Sequence, residues 1–167
     1  MKFKRLLVFL LALVMVIGLV PATALTASAA TMTTSEAGVA FIKEFEGFHD
    51  TAYWDNGQWT IGYGTGIPDS KVDQYNASGI TEAQAVTLLK EYLVSFEKSV
   101  NTFIDTNNLK LNQQQFDALV SFTYNLGPSW LQSAGTLRSA VINGTKGNDF
   151  IYAMAQFGKA SGSPVGG

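Results

Sequence analysis

The sequence predicts an α+β domain in which one long helix joins a small β lobe to a mainly helical lobe. Three stretches carry that prediction. Thr51 to Gly64 holds two short strand-like pieces around Asn56-Gly57, a dipeptide suited to the two-residue turn of a β-hairpin. After Thr81, the residues Ala85, Leu89, Tyr92, Leu93, Phe96, Val100, Phe103 and Ile104 keep to one stripe at helical spacing, which marks a long amphipathic helix. Phe116, Leu119, Val120 and Thr123 give the next helix its buried side, and Gly127-Pro128 ends it.

Taken from the N-terminus, the chain begins with Lys2, Lys4 and Arg5, then a charge-free apolar run from Leu6 to Val20, Pro21, and the small-x-small triplet Ala27-Ser28-Ala29. That is the pattern of a cleaved secretory signal. The apolar run is shorter than the roughly twenty residues that span a bilayer core. Residues 1–29 are therefore expected to be removed, with membrane contact limited to export, and residues 30–167 to form one secreted, monomeric domain. Removing three positive charges moves the formal net charge from −2 to −5. So acidic a domain is a poor partner for nucleic acid, whose phosphates demand clustered positive charge. The chain has no cysteine, so no disulfide supports the fold.

The first helix is read from Val39, Phe41, Ile42, Phe45 and Phe48, with Gly47 as its stop and Thr33-Thr34-Ser35-Glu36 as a capping box led by the Thr33 hydroxyl. Glu46 then falls in the last turn. The negative end of the helix dipole and the aromatics Phe45 and Phe48 both disfavour its ionised form, which raises its pKa as a general acid requires. Asp55 enters the hairpin turn, where water and free backbone N–H groups favour the carboxylate. The same two residues also suit plainer roles, a surface acid at a helix end and a turn former.

Ile67 to Gly79 is polar and turn-rich, and reads as a surface loop. Thr81 and Gln84 form a capping box for the long helix, with Glu91, Glu97 and Lys98 expected in solvent. Asn112 and Gln115 cap the helix that follows. Asn125, beside the Gly127-Pro128 turn, suits either a helix C-terminus or a sugar hydroxyl, and the Tyr63 ring either a pyranose face or, preferably, the interior of the hairpin. Trp54 and Trp59 flank the turn. Thr136–Ile142 and Asp149–Phe157 are read as two short helices separated by Asn143-Gly144. The one histidine, His49, reads as a solvated loop residue, and no metal or cofactor is implied.

Glu46-Gly47, Ala52-Tyr53, Asp55, Gly57 and Thr60-Ile61-Gly62-Tyr63-Gly64 together resemble the active-site signature of the phage-type lysozymes, or endolysins, of glycoside hydrolase family 24. The likeness continues through Leu111-Asn112-Gln113, Gln115 to Phe122, and Tyr124-Asn125-x-Gly127, and so covers about Ser35 to Phe157. It implies a lysozyme-like fold with its cleft between the lobes. It also implies a muramidase that cleaves the β-1,4 bond between N-acetylmuramic acid and N-acetylglucosamine in peptidoglycan, with inversion. Glu46 would be the acid, Asp55 would orient or deprotonate water, Thr60 would help hold that water, and Asn125 and Tyr63 would lie near the substrate. Other readings are a lytic transglycosylase or an inactive wall-binding protein. Two departures stand out. Thr65 occupies the position where the family usually has a histidine. The chain also stops at Gly158 to Gly167, where the family continues into a C-terminal helix, and this predicts uncovered apolar surface around Phe116 and Phe150.

Overall fold

The computed structural model describes residues 31–55, 57–150 and 152–153. The expected signal segment and the glycine-rich end at 158–167 lie outside those residues. Helix α1 spans Glu36–Glu46, followed by strands β1 (His49–Asp55), β2 (Gln58–Gly62) and β3 (Thr65–Ile67). A 3-10 turn at Asp69–Lys71 leads into α2 (Val72–Ser78), and then come the long α3 (Glu82–Thr106) and α4 (Gln113–Leu126). A second 3-10 turn, Pro128–Leu131, precedes α5 (Thr136–Ile142), and residues 147–150 and 152–153 are helical again. The architecture is that of the lysozyme-like α+β class: one antiparallel sheet, ordered β1-β2-β3, beside a helical lobe.

Both capping boxes at Thr81/Gln84 and Asn112/Gln115 form as the sequence indicates. At α1 the cap differs. Ser35, not Thr33, is the N-cap, and its hydroxyl accepts from Gly38 N at 3.1 Å while donating to the Asp117 carboxylate at 2.5 Å. Asp117 on α4 selects Ser35 because a carboxylate at a helix N-terminus is stabilised by the free N–H groups there. Glu36 is thereby released from the box and meets Lys90 of α3.

Between Ile67 and Gly79 the surface loop expected from composition is replaced by the end of β3, a 3-10 turn and α2. Val72 turns inward, Asn76 Oδ1 accepts Ala52 N of β1 at 2.9 Å, and Gly79 N donates to Tyr75 O. A single buried valine and an edge contact are enough to hold so short a helix, but neither leaves a periodic pattern. Glu97 is a further departure, since it is half-buried and accepts Thr34 N at 2.8 Å.

The core lies where α1, α3 and α4 meet, around Ile42, Leu89, Leu93, Val100, Phe116 and Val120. Trp130 packs against Phe103 and Phe122 and donates Nε1–H to Thr123 Oγ1. Phe116 is fully enclosed and Phe150 is 3 % exposed. The two rings themselves are thus covered, contrary to expectation, while Tyr152 nearby in the chain is 63 % exposed.

Candidate active site

Helix α1 delivers Glu46 to its own C-terminal end, where Gly47 reverses the chain at φ +73° and its N–H bonds back to Lys43 O. The acid is half-buried. Beyond Gly47 the chain enters β1, whose pairing with β2 sets Tyr53 opposite Thr60, Trp54 opposite Trp59, and Asp55 opposite Gln58. The pairing of Asp55 with Gln58 closes the hairpin where the sequence indicates, with Gly57 at φ +86°.

Side chains alternate across a strand, and directly paired residues share a face. Tyr53, Asp55, Gln58 and Thr60 accordingly lie on one face, and Trp54 and Trp59 on the other. The two indoles pack edge to face at 5.4 Å, with Trp54 59 % exposed. Thr60 is 2 % exposed, and its Oγ1 has no hydrogen-bond partner in the protein.

The turn from β2 into β3 faces the acid. Gly64, at φ +84°, has no room for a side chain: a Cβ there would stand 2.7 Å from Tyr124 Oη and 3.0 Å from Glu46 Oε2. Gly62, at φ +65°, likewise lies against Ala85 of α3, 2.9 Å from where its own Cβ would be. The glycines of Thr60-Ile61-Gly62-Tyr63-Gly64 thus serve close approach as well as backbone shape. One brings the sheet onto the long helix, and the other brings the turn onto the carboxylate.

Tyr124, one turn from the end of α4, donates its hydroxyl to Tyr63 O at 2.6 Å and packs edge to face with Tyr92 and Phe96. Burial, first, and then the negative charge of Glu46 hold its phenol well above the ordinary tyrosine pKa, and Tyr92 and Tyr53 add to the rise. The Thr65 hydroxyl lies close enough to temper that effect without reaching hydrogen-bond geometry, and Thr65 itself is 5 % exposed. Gly66 pairs with Thr60, and a Cβ there would stand 3.0 Å from Tyr92 Oη and 3.3 Å from the Gln58 amide, so the face that carries Asp55, Gln58 and Thr60 turns toward Tyr92, which packs on Tyr124.

Tyr63 is 4 % exposed, with its ring against Phe48 at 5.6 Å and Lys43 Nζ 5.0 Å from the ring centroid. Its hydroxyl donates to Glu82 at 3.1 Å, and burial followed by that contact raises its pKa. A ring so placed fills the hairpin interior. Asn125 is exposed, and its Nδ2 donates to Ser121 O one turn back, leaving its carbonyl oxygen toward solvent. Sequence reasoning did not single out Tyr124. The only signal was its place beside Asn125, because an aromatic at helical spacing reads first as core.

A half-buried carboxylate at a helix end, with the turn of a small antiparallel sheet laid against it, is the arrangement expected of a lysozyme-type glycoside hydrolase. Comparison with known proteins agrees. Residues 43–167 match the phage lysozyme family. The chain is similar to an endolysin of Acyrthosiphon pisum secondary endosymbiont phage 1, with 31 % identity over 135 residues covering 80 % of this chain and 83 % of that one. Among solved structures it is similar to the muramidase domain of SpmX from Asticaccaulis excentricus, with a TM-score of 0.56, 28 % identity, and coverage of 79 % of this chain and 99 % of that one. A variant of P22 lysozyme is also similar, with a TM-score of 0.56, 27 % identity, and coverage of 75 % and 92 %. The chain belongs to the phage lysozyme family and is a peptidoglycan hydrolase.

Proposed function

We propose that this protein cleaves the β-1,4 bond between N-acetylmuramic acid and N-acetylglucosamine with inversion at the anomeric carbon. The observation that carries this reading is the hairpin register, by which Asp55 and Thr60 share one face of a sheet whose next turn, at Gly64, lies against Glu46. Glu46 gives its proton to the glycosidic oxygen as the bond to the anomeric carbon breaks. A water attacks that carbon from the opposite face, Asp55 takes the proton the water loses, and Thr60 Oγ1 holds the water in line. A buried hydroxyl without a protein partner suits that task, since leaving it unbonded costs stability. Inversion calls for carboxyls about 6.5–9.5 Å apart, which leaves room for the water.

Asn125 presents its free carbonyl to a sugar hydroxyl or N-acetyl group, and Tyr63 supports the hairpin from beneath. Cleavage after residue 29 would release the domain of residues 30–167 outside the membrane as a secreted monomer. An acidic domain gains nothing from charge when it approaches an anionic wall, so contacts with neutral sugars carry its binding.

The test is muropeptide release from purified peptidoglycan, with product mass analysis and Glu46→Gln as control. Reducing ends that carry oxygen from labelled water in the inverted configuration, and that vanish in the variant, are expected. Anhydro-sugar products would replace hydrolysis with transglycosylation. Wall binding without products would leave only a binding protein.

A further inference from the structure

The Tyr124 hydroxyl is not accounted for by the reaction as described, yet it is buried beside the acid on the far side of a glycine. A phenol has one proton. Tyr124 commits that proton to Tyr63 O at 2.6 Å, at the short end for such a bond. Whatever the oxygen offers to other neighbours is therefore lone-pair density. A Cβ at Gly64 would lie 2.7 Å from Tyr124 Oη and 3.0 Å from Glu46 Oε2, so the glycine puts no side chain between the phenol and the carboxyl.

We propose that Tyr124 is a positioning residue for Glu46: with its only proton held by the Tyr63 carbonyl, its oxygen acts as an acceptor toward the acid and so favours the protonated Glu46. The inference rests on Glu46 being the general acid. A carboxylic acid can donate toward such an oxygen, whereas a carboxylate meets it lone pair to lone pair. The other titratable and charged groups about the pair are Tyr92 from α3 and Tyr53 from β1, Asp55 on the same strand face as Tyr53, and, against Tyr63, Lys43 of α1 and Glu82 of α3. Lys43 and Glu82 engage the Tyr63 ring and hydroxyl. The remaining lever on the acid from α4 is the Tyr124 oxygen.

The experiment is carboxyl carbon-13 NMR titration of Glu46, assigned by difference from Glu46→Gln, in the protein and in Tyr124→Phe, together with the pH profile of kcat/KM for peptidoglycan. Losing the acceptor is expected to lower the Glu46 midpoint by about half to one pH unit, the span over which one neutral hydrogen bond separates two protonation states. The alkaline limb of the profile moves down with it. Fluorotyrosine at position 124 keeps the ring and its packing while weakening the oxygen as an acceptor, and gives a smaller shift in the same direction if Tyr124→Phe does not fold. A midpoint that stays in place or rises in these proteins overturns the inference, whatever happens to the rate, because a purely structural role lowers activity without moving the titration. A midpoint that falls while the activity profile stays in place upholds the contact and refutes Glu46 as the acid.

Discussion

Two polar clusters sit at opposite ends of α1, and they are satisfied in different ways. At the N-terminal end, the Asp117 carboxylate accepts Ser35 N at 3.0 Å, Ser35 Oγ at 2.5 Å and Gln113 Nε2 at 2.9 Å, and Gly38 lies tight against its side chain. At the C-terminal end, Thr60 and Thr65 each keep a buried hydroxyl without a hydrogen-bond partner in the protein, Thr60 on the sheet face it shares with Asp55 and Thr65 on the opposite face with Ile61. Among the described residues Ser121 of α4 shares that condition, and so does Thr34 at the N-terminal end itself, beside Asp117. A fold built only for stability would pair such groups or replace them with apolar ones, because an unpaired buried hydroxyl is a net cost. The Asp117 cluster is a staple between α1 and α4. The threonines of the sheet make no such link.

Substitutions separate the two ends. Glu46→Gln is expected to lower kcat on peptidoglycan by about 10³-fold or more, in line with the loss of a general acid, and to leave the urea midpoint near that of the unaltered protein. Asp117→Ala should do the reverse, removing about 2–4 kcal/mol of stability through lost charge-assisted bonds, which urea unfolding would read, while the protein that remains folded keeps its turnover. If Asp117→Ala instead abolished turnover in folded protein, the division between staple and site would not stand.

Alkaline pH adds a test from the site end. In the folded protein Tyr124 keeps its proton above pH 10, whereas in the unfolded chain it loses it near that pH, so unfolding releases a proton there. Its contribution is complete below about pH 10 and falls by about 1.4 kcal/mol per pH unit above it. Tyr63 pulls in the same direction. Denaturant melts across pH 9 to 11 should show the decline, and Tyr124→Phe should make it shallower.

Thr60→Val keeps the shape and deletes the orphaned hydroxyl. Activity should drop while stability stays level or rises by up to about 1 kcal/mol, a pairing that calorimetry and a turnover assay together would check. The smallest effect belongs to Trp54→Ala. On the exposed outer face of the hairpin it should alter stability by under about 0.5 kcal/mol, and a larger loss would show that the Trp54–Trp59 pair holds the hairpin together.

Much of this arrangement is local and can be read along the chain. Asn56-Gly57 marks its turn because few residues accept the required backbone angles, and Thr81/Gln84 and Asn112/Gln115 mark helix starts because a cap acts within four residues. Glu46 before Gly47 places an acid at a helix end for the same reason. The exceptions arise where a distant residue decides. Thr33, Thr34 and Ser35 are equivalent as caps until Asp117, 82 positions beyond Ser35, selects one of them. The residues of α2 look like loop until Val72 finds the core and Asn76 finds β1.

The sequence by itself determined the two lobes, the long helix between them, and the order in which an acid, a hairpin aspartate and a threonine follow one another, because periodicity, capping and turn chemistry act over a few residues. Only the tertiary structure decided that the Tyr124 hydroxyl and the Glu46 carboxyl both border Gly64, and that Asp55 and Thr60 share one face of the sheet while Trp54 and Trp59 lie on the other. Those facts depend on strand register and on the packing of α4 against the β2–β3 turn, contacts between residues some sixty positions apart that no local pattern encodes.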